Sequence, residues 1–202
     1  MVDIDVVEKD VAASRRGAGR RTAICQATCE LLAKVGYDRM TMDAIANQAK
    51  ASKATIYRMW PDKPQLVAEA IKCQFGDTAD LPNTGSLRGD LLALLSAACE
   101  VSTSEVGEII VGLMTAAKHD PRLAETLSQT MFEDKAKLHA ELVRRAAERG
   151  EVDPDTDPGL VHELIHSLIS GRMTWNLGPL DDEYARHVVD DIMIPVMTYR
   201  KP

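Results

Sequence analysis

Two imidazoles and a carboxylate stand at a metal-enzyme spacing in His162-Glu163-Leu164-Ile165-His166. On a helix the first and fifth of these residues share a face, so both rings could bind one Zn²⁺ while Glu163 activates a water. A catalytic zinc also needs a third protein ligand and an open position. Ser167-Leu168-Ile169 supplies none, and Glu183 lies in an acidic cluster at a helix start, where it complements the helix dipole. The plainer reading sets the two histidines at a pocket wall or a subunit contact. Cys25 and Cys29, four residues apart, could join or hold a metal, yet no other Cys or His lies near them in sequence. With Cys73 and Cys99 they read as small buried thiols. The chain has no Gly-rich phosphate loop and no G-x-S-x-G, so it reads as a non-enzyme with no metal and no cofactor.

The charges carry more information. The 202 residues hold 24 Lys and Arg against 31 Asp and Glu, a net charge of −7. Residues 14–63 nevertheless hold ten basic groups against four acids, while residues 64–202 carry a net −10. A basic block on an acidic body points to a polyanion that meets the block alone. At 45% hydrophobic the chain is no disordered polymer. No run approaches the roughly 18 apolar residues of a membrane helix. The acidic, interrupted N-terminus is no signal peptide. Four scattered cysteines fit free thiols in a reducing cytoplasm, so the expectation is a cytoplasmic protein with no membrane partner.

The elements that would position these charges are helices. Ile24, Ala27, Thr28, Leu31, Leu32 and Val35 stripe a helix over 20–35 that Gly36 stops. Thr41 caps a short helix over 42–49, and Ser52 caps another from Lys53 to Trp60, ended by Pro61. Asp62 caps the next, with Leu66, Val67, Ala70 and Ile71 inward. Residues 77–89, rich in Gly, Pro and Asn, read as a loop. Two helices fit within 87–118, a long one runs from Arg122 to Arg149 behind Asp120-Pro121, and two more cover 158–176 and 181–200. Pro195 should kink or shorten the last. The fold class is all-α, with about nine helices.

Between Thr41 and Trp60, two helices of about two turns flank Lys50-Ala51-Ser52. An α-helix fits the major groove, so a helix–turn–helix of this size suits DNA reading. In the second helix Ile56 and Trp60 lie four apart and pack inward, leaving Lys53, Ala54, Thr55, Tyr57 and Arg58 outward. Thr41, Ser52 and Lys63 stand at helix N-termini, where hydroxyls, amides and an ammonium hold phosphates.

At these residues the chain resembles a known family. Ile45-Ala46, Ala49, Ser52-Lys53, Thr55-Ile56-Tyr57, Trp60, Lys63 and Leu66 are similar to the DNA-binding domain of the tetracycline-repressor (TetR) family, with the close match spanning about 20–72. The resemblance implies a flexible arm over 1–19, a DNA-binding domain over 20–80 with its helix–turn–helix at 41–60, and a ligand-binding and dimerisation domain over 81–202. It implies that Lys53, Ala54, Thr55, Tyr57 and Arg58 read the major groove. Thr41, Ser52 and Lys63 would touch phosphates, and Arg20 and Arg21 would form a basic arm. Many members carry Gly where this chain has Lys50, which would bear strain of roughly 1 kcal/mol in a left-handed conformation.

In the C-terminal part, Met114, Met131, Phe132, His166, Met173 and Trp175 offer adaptable walls for a small amphipathic ligand. The expectation is therefore a homodimeric regulator, a repressor released from double-stranded operator DNA by a small-molecule effector. The alternatives are a zinc hydrolase acting through His162, Glu163 and His166, or a helical ligand-binding module without DNA binding.

Overall fold

A computed structural model describes the backbone of residues 4–75 and 81–199, with side chains described for all of these except 4–16, 75 and 131–134. Every regular element among the described residues is helical, and they fall into two compact units, Met1–Gln74 and Phe75–Pro202.

The first unit contains α1 (Ile4–Arg39), α2 (Met42–Gln48), α3 (Lys53–Met59) and α4 (Lys63–Phe75). α1 starts at Ile4, inside the stretch read from sequence as a flexible arm, because nothing from there to Gly17 interrupts a helix. Its regular backbone breaks at Gly36, whose φ of 73° only glycine adopts without strain. Ile24, Ala27, Thr28 and Leu32 are buried on one stripe, and the Thr28 hydroxyl is satisfied by donating to the Ile24 carbonyl at 2.8 Å. Leu66, Val67, Ala70 and Ile71 of α4 are buried, and the Cys29 thiol donates to the Ala70 carbonyl at 3.5 Å. Cys73, expected in the core, is exposed because it lies off that stripe. Both it and Cys25 are free thiols, and burial first, then the neighbouring Cys73 thiol, push the Cys25 thiol up.

The second unit contains α5 (Leu87–Ser102), α6 (Glu105–Ala117), α7 (Pro121–Glu148), α8 (Gly159–Trp175), α9 (Asp182–His187), a π-helical turn (Val188–Met193) and α10 (Ile194–Thr198). The last three run on as one rod, which brings the number of helical rods to nine among the described residues. Ser86, Asp120 and Asp181 cap α5, α7 and α9 through their side chains. Leu91, Leu95, Leu142, Ala146, Val161, Val188, Val189 and Met193 form the core, α5 packing on α6, α7, α8 and the last rod. Buried Asp90 accepts from the amide and hydroxyl of Thr84 at 2.7 and 2.8 Å, which fixes the entry to α5. α5 and α6 meet so closely that a Cβ on Gly107 would lie 2.1 Å from the Ser102 carbonyl oxygen. The π turn sits directly before Pro195, and the Ile194 amide reaches back five residues to the Val189 carbonyl. Proline has no amide to give the carbonyl four residues behind it, so the rod widens there.

Candidate nucleic-acid interface

The geometry of residues 41–60 follows from its caps. The Thr41 hydroxyl accepts from the Ala44 amide at 3.1 Å, and that of Ser52 accepts from the Thr55 amide at 3.2 Å. A hydroxyl that accepts in a cap keeps its proton, so Thr41 can still donate outward. Ser52 also shares a hydrogen bond of 2.8 Å with the Thr55 hydroxyl. Between the helices Lys50 stands at φ 49°, the left-handed conformation raised by the sequence, and the Ala51 amide closes on the Ala46 carbonyl at 3.0 Å. This closure ends α2 and turns the chain into α3 within three residues.

α3 has two faces. Ile56 is buried and the adjoining Trp60 is buried behind it. Lys53, Ala54 and Arg58 are exposed, Tyr57 is 49% exposed, and Thr55 is half-buried. The ammonium of Lys53 is paired with Asp43 of α2 at 2.7 Å, both groups facing solvent.

Three positions expected on the DNA backbone sit differently from one another. Arg20 is exposed. Arg21 is tied to Glu69 of α4 at 2.7 Å, and its guanidinium lies 5.5 Å from the centre of the Trp60 ring. Lys63 points inward: its ammonium donates to the carbonyls of Tyr37 and Met40 at 3.0 and 3.3 Å and lies 3.8 Å from the Tyr37 ring centre. It therefore fastens the end of α1 to the start of α4. No sequence signal marked that role, because the two carbonyls belong to a turn more than twenty residues away.

The residues expected at a ligand in the second unit divide as well. Met114 and Met173 are half-buried, and Met173 packs on the core. The side chains of Met131 and Phe132 lie outside the described residues. Trp175 is 75% exposed at the end of α8. His166 is half-buried and stacks on His162, ring centres 5.8 Å apart, and His162 in turn lies 5.6 Å from the ring of His139 on α7. His139 was not singled out in the sequence, although it continues the inward face of Leu142, Val143 and Ala146. Among the described residues no group of three or more His, Cys, Asp or Glu is placed to hold a metal ion. Among the described residues no helix is long and apolar enough to cross a membrane.

Two short helices, a tight turn and a recognition helix with one buried and one solvent face make residues 41–60 a helix–turn–helix of the DNA-reading kind. Residues 24–70 match the family model described as bacterial regulatory proteins, tetR family, and residues 81–192 match the tetracyclin repressor-like C-terminal domain. The chain is 32% identical over 182 residues to an uncharacterised HTH-type transcriptional regulator of Mycobacterium tuberculosis, across 89% of this chain and 88% of that one. It is 31% identical over 180 residues to the DNA-binding transcriptional repressor TetR of Mycobacteroides abscessus, across 89% and 94%. A crystal structure of a TetR family transcription regulator superposes with a TM-score of 0.71 at 30% identity, covering 91% of this chain and 99% of that one. The chain belongs to the TetR family of bacterial transcriptional regulators.

Proposed function

We propose that this regulator is a homodimeric repressor that grips a pseudo-palindromic operator through two copies of α3 and is released by a small amphipathic effector. The observation that carries the reading is the division of α3: Ile56 is 1% exposed while Tyr57, the next residue, is 49% exposed. A helix anchored on one side and open on the other can enter a major groove without losing its packing. Lys53, Ala54, Thr55, Tyr57 and Arg58 then face base edges, with Ala54 small enough for close approach. Thr41 and Ser52 hold phosphates, and Arg20 and Arg21 flank the backbone. Lys63 braces the turn beneath Thr41 and adds its charge to the same strand. The two α3 helices would sit in successive grooves, about 34–36 Å apart.

Trp175, Leu177, Val196 and Tyr199 are large apolar side chains 44–75% exposed at the ends of α8 and α10. Such exposure fits a surface covered by a second copy, and it supports a place for Trp175 in the dimer contact. The effector acts by favouring a dimer whose α3 spacing no longer fits the operator, which requires unequal affinity for the two states. The likeness to a named repressor supports repression as the sign of regulation.

Selection of source-genome fragments by the purified protein at about 150 mM salt tests the reading, since non-specific binding is weak there. The expected result is a small set of sites sharing an inverted repeat, and a loss of roughly tenfold or more in affinity for Tyr57→Ala with the dimer intact. No enriched site, or unchanged affinity in Tyr57→Ala, would overturn it.

A further inference from the structure

Three of the four cysteines meet where α1 packs on α4. Cys25 and Cys29 lie one turn apart on α1, 2% and 8% exposed, and Cys73 lies exposed on α4. All three are free thiols. Contacts on either side of Cys25 set α4 against it. Arg21, one turn earlier, reaches Glu69 at 2.7 Å, and the Cys29 thiol, one turn later, donates to the Ala70 carbonyl at 3.5 Å. Cys73 follows Glu69 and Ala70 by one turn, and its thiol donates at 3.7 Å to Glu69 Oε1, the oxygen that also holds Arg21. Cys25 and Cys73 are thus neighbours on facing helices, one shielded and one open to solvent. We propose that they form a peroxide-reactive thiol pair, in which Cys73 is oxidised first and Cys25 closes a disulfide between α1 and α4.

Each thiol suits its part. A thiol must meet solvent to reach a dissolved oxidant, and of these three Cys73 does so. Burial first, and the neighbouring Cys73 thiol second, push the Cys25 thiol up, and burial pushes that of Cys29 up to about 11. Both therefore stay protonated and do not compete for the oxidant. The Arg21 guanidinium acts on both Cys25 and Cys73, and a cation at that place favours a thiolate on either sulfur. In the first step the Cys73 sulfur attacks one peroxide oxygen and the O–O bond breaks. Cys73 becomes a sulfenic acid, and its thiol proton leaves with the other oxygen as water. In the second step the Cys25 sulfur attacks that of Cys73, the S–S bond forms, and the Cys25 proton departs with the sulfenic hydroxyl as water. The two sulfurs give up two electrons, and one peroxide takes them. The bond joins the helix that leads into α2 to the helix that follows α3. Resting on the operator reading above, oxidation then alters the grip on DNA.

The test treats the intact, reduced protein with hydrogen peroxide, blocks the remaining thiols with N-ethylmaleimide and maps the peptides by mass spectrometry. The expected product is a cross-link between the peptides of Cys25 and Cys73, formed equally in Cys29→Ala and removed by dithiothreitol. Cys73 should be consumed about tenfold faster than buried Cys99. Cys73→Ser should leave Cys25 free, and a folded Cys25→Ala should stop at a Cys73 sulfenic acid that dimedone traps. No cross-link, a bond from Cys73 to Cys29 or to the Cys73 of a second copy, or equal consumption of Cys99 would overturn the pair. Operator affinity of the oxidised protein should change about fivefold or more, return with dithiothreitol and stay constant in Cys73→Ser. The peptide map needs no DNA, so it tests the pair whatever becomes of the operator reading. Unchanged affinity in the cross-linked protein would keep the pair and overturn its link to DNA.

Discussion

Lys53 on the first turn of α3 is held by Asp43 on the first turn of α2, ammonium to carboxylate 2.7 Å, across the turn between the two helices. The pair is exposed, so it contributes at most about 0.5 kcal/mol to the fold. Its consequence lies in recognition, because Lys53 must exchange Asp43 for DNA when α3 docks. Asp43→Asn should raise operator affinity about threefold at low salt, with melting unchanged and the gain absent in a Lys53→Met background. Equal gains in both backgrounds would mean that Asp43 acts by simple repulsion of the phosphates.

Lys50 occupies a left-handed conformation at φ 49°. Lys50→Gly should stabilise the first unit by about 0.5–1 kcal/mol, the relief of strain exceeding the added freedom of the unfolded chain. Lys50→Ala keeps the strain and should give no such gain. Thermal melting of the two variants side by side decides the point.

Lys63 separates bracing from DNA contact. Loss of its bonds to the Tyr37 and Met40 carbonyls in Lys63→Met should destabilise the protein by about 1–3 kcal/mol. If the residue acted on phosphate alone, operator affinity would fall with no change in melting temperature.

His139 makes stability depend on pH. Its folded pKa, lowered to about 4 by burial, lies below the unfolded value near 6.5, so the unfolded chain takes up a proton first. The contribution is whole above pH 6.5 and is lost as pH falls toward 4, to a total of roughly 3 kcal/mol at most. Urea unfolding of the protein and of His139→Phe between pH 7.5 and 4.5 should show a smaller acid loss in the variant. Parallel curves would assign the loss elsewhere.

Gly107→Ala is expected to destabilise the second unit by about 1–3 kcal/mol, since its Cβ would meet the Ser102 carbonyl oxygen at 2.1 Å. Gly112→Ala meets nothing within 4 Å and should stabilise α6 instead. Differential scanning calorimetry of the two variants distinguishes them.

The caps were the most legible part of this chain. Thr41, Ser52, Asp62 and Asp120 announce helix starts by residue type alone, and each side chain accepts an amide of the first turn. On α7 the apolar spacing points to Leu138, which is half-buried, whereas full burial falls on His139, because one polar residue on an apolar face breaks the pattern that marks such a face. The inward turn of Lys63 and the tie from Arg21 to Glu69 depend on contacts 23 to 48 residues apart, which local spacing does not encode. The row of histidines spans two helices for the same reason. Only its α8 half was visible, and there it carried the spacing of a zinc motif.

The wide turn before Pro195 also sets the phase of the final rod. Val189, Met193 and Met197 are buried at intervals of four, and in an unbroken α-helix each such step would advance about 40° around the axis. The π turn takes up part of that drift, so all three keep to the side that meets the core. The rod thus accommodates one residue more than a regular helix would seat, and the surface beyond Pro195 is aimed by that surplus residue.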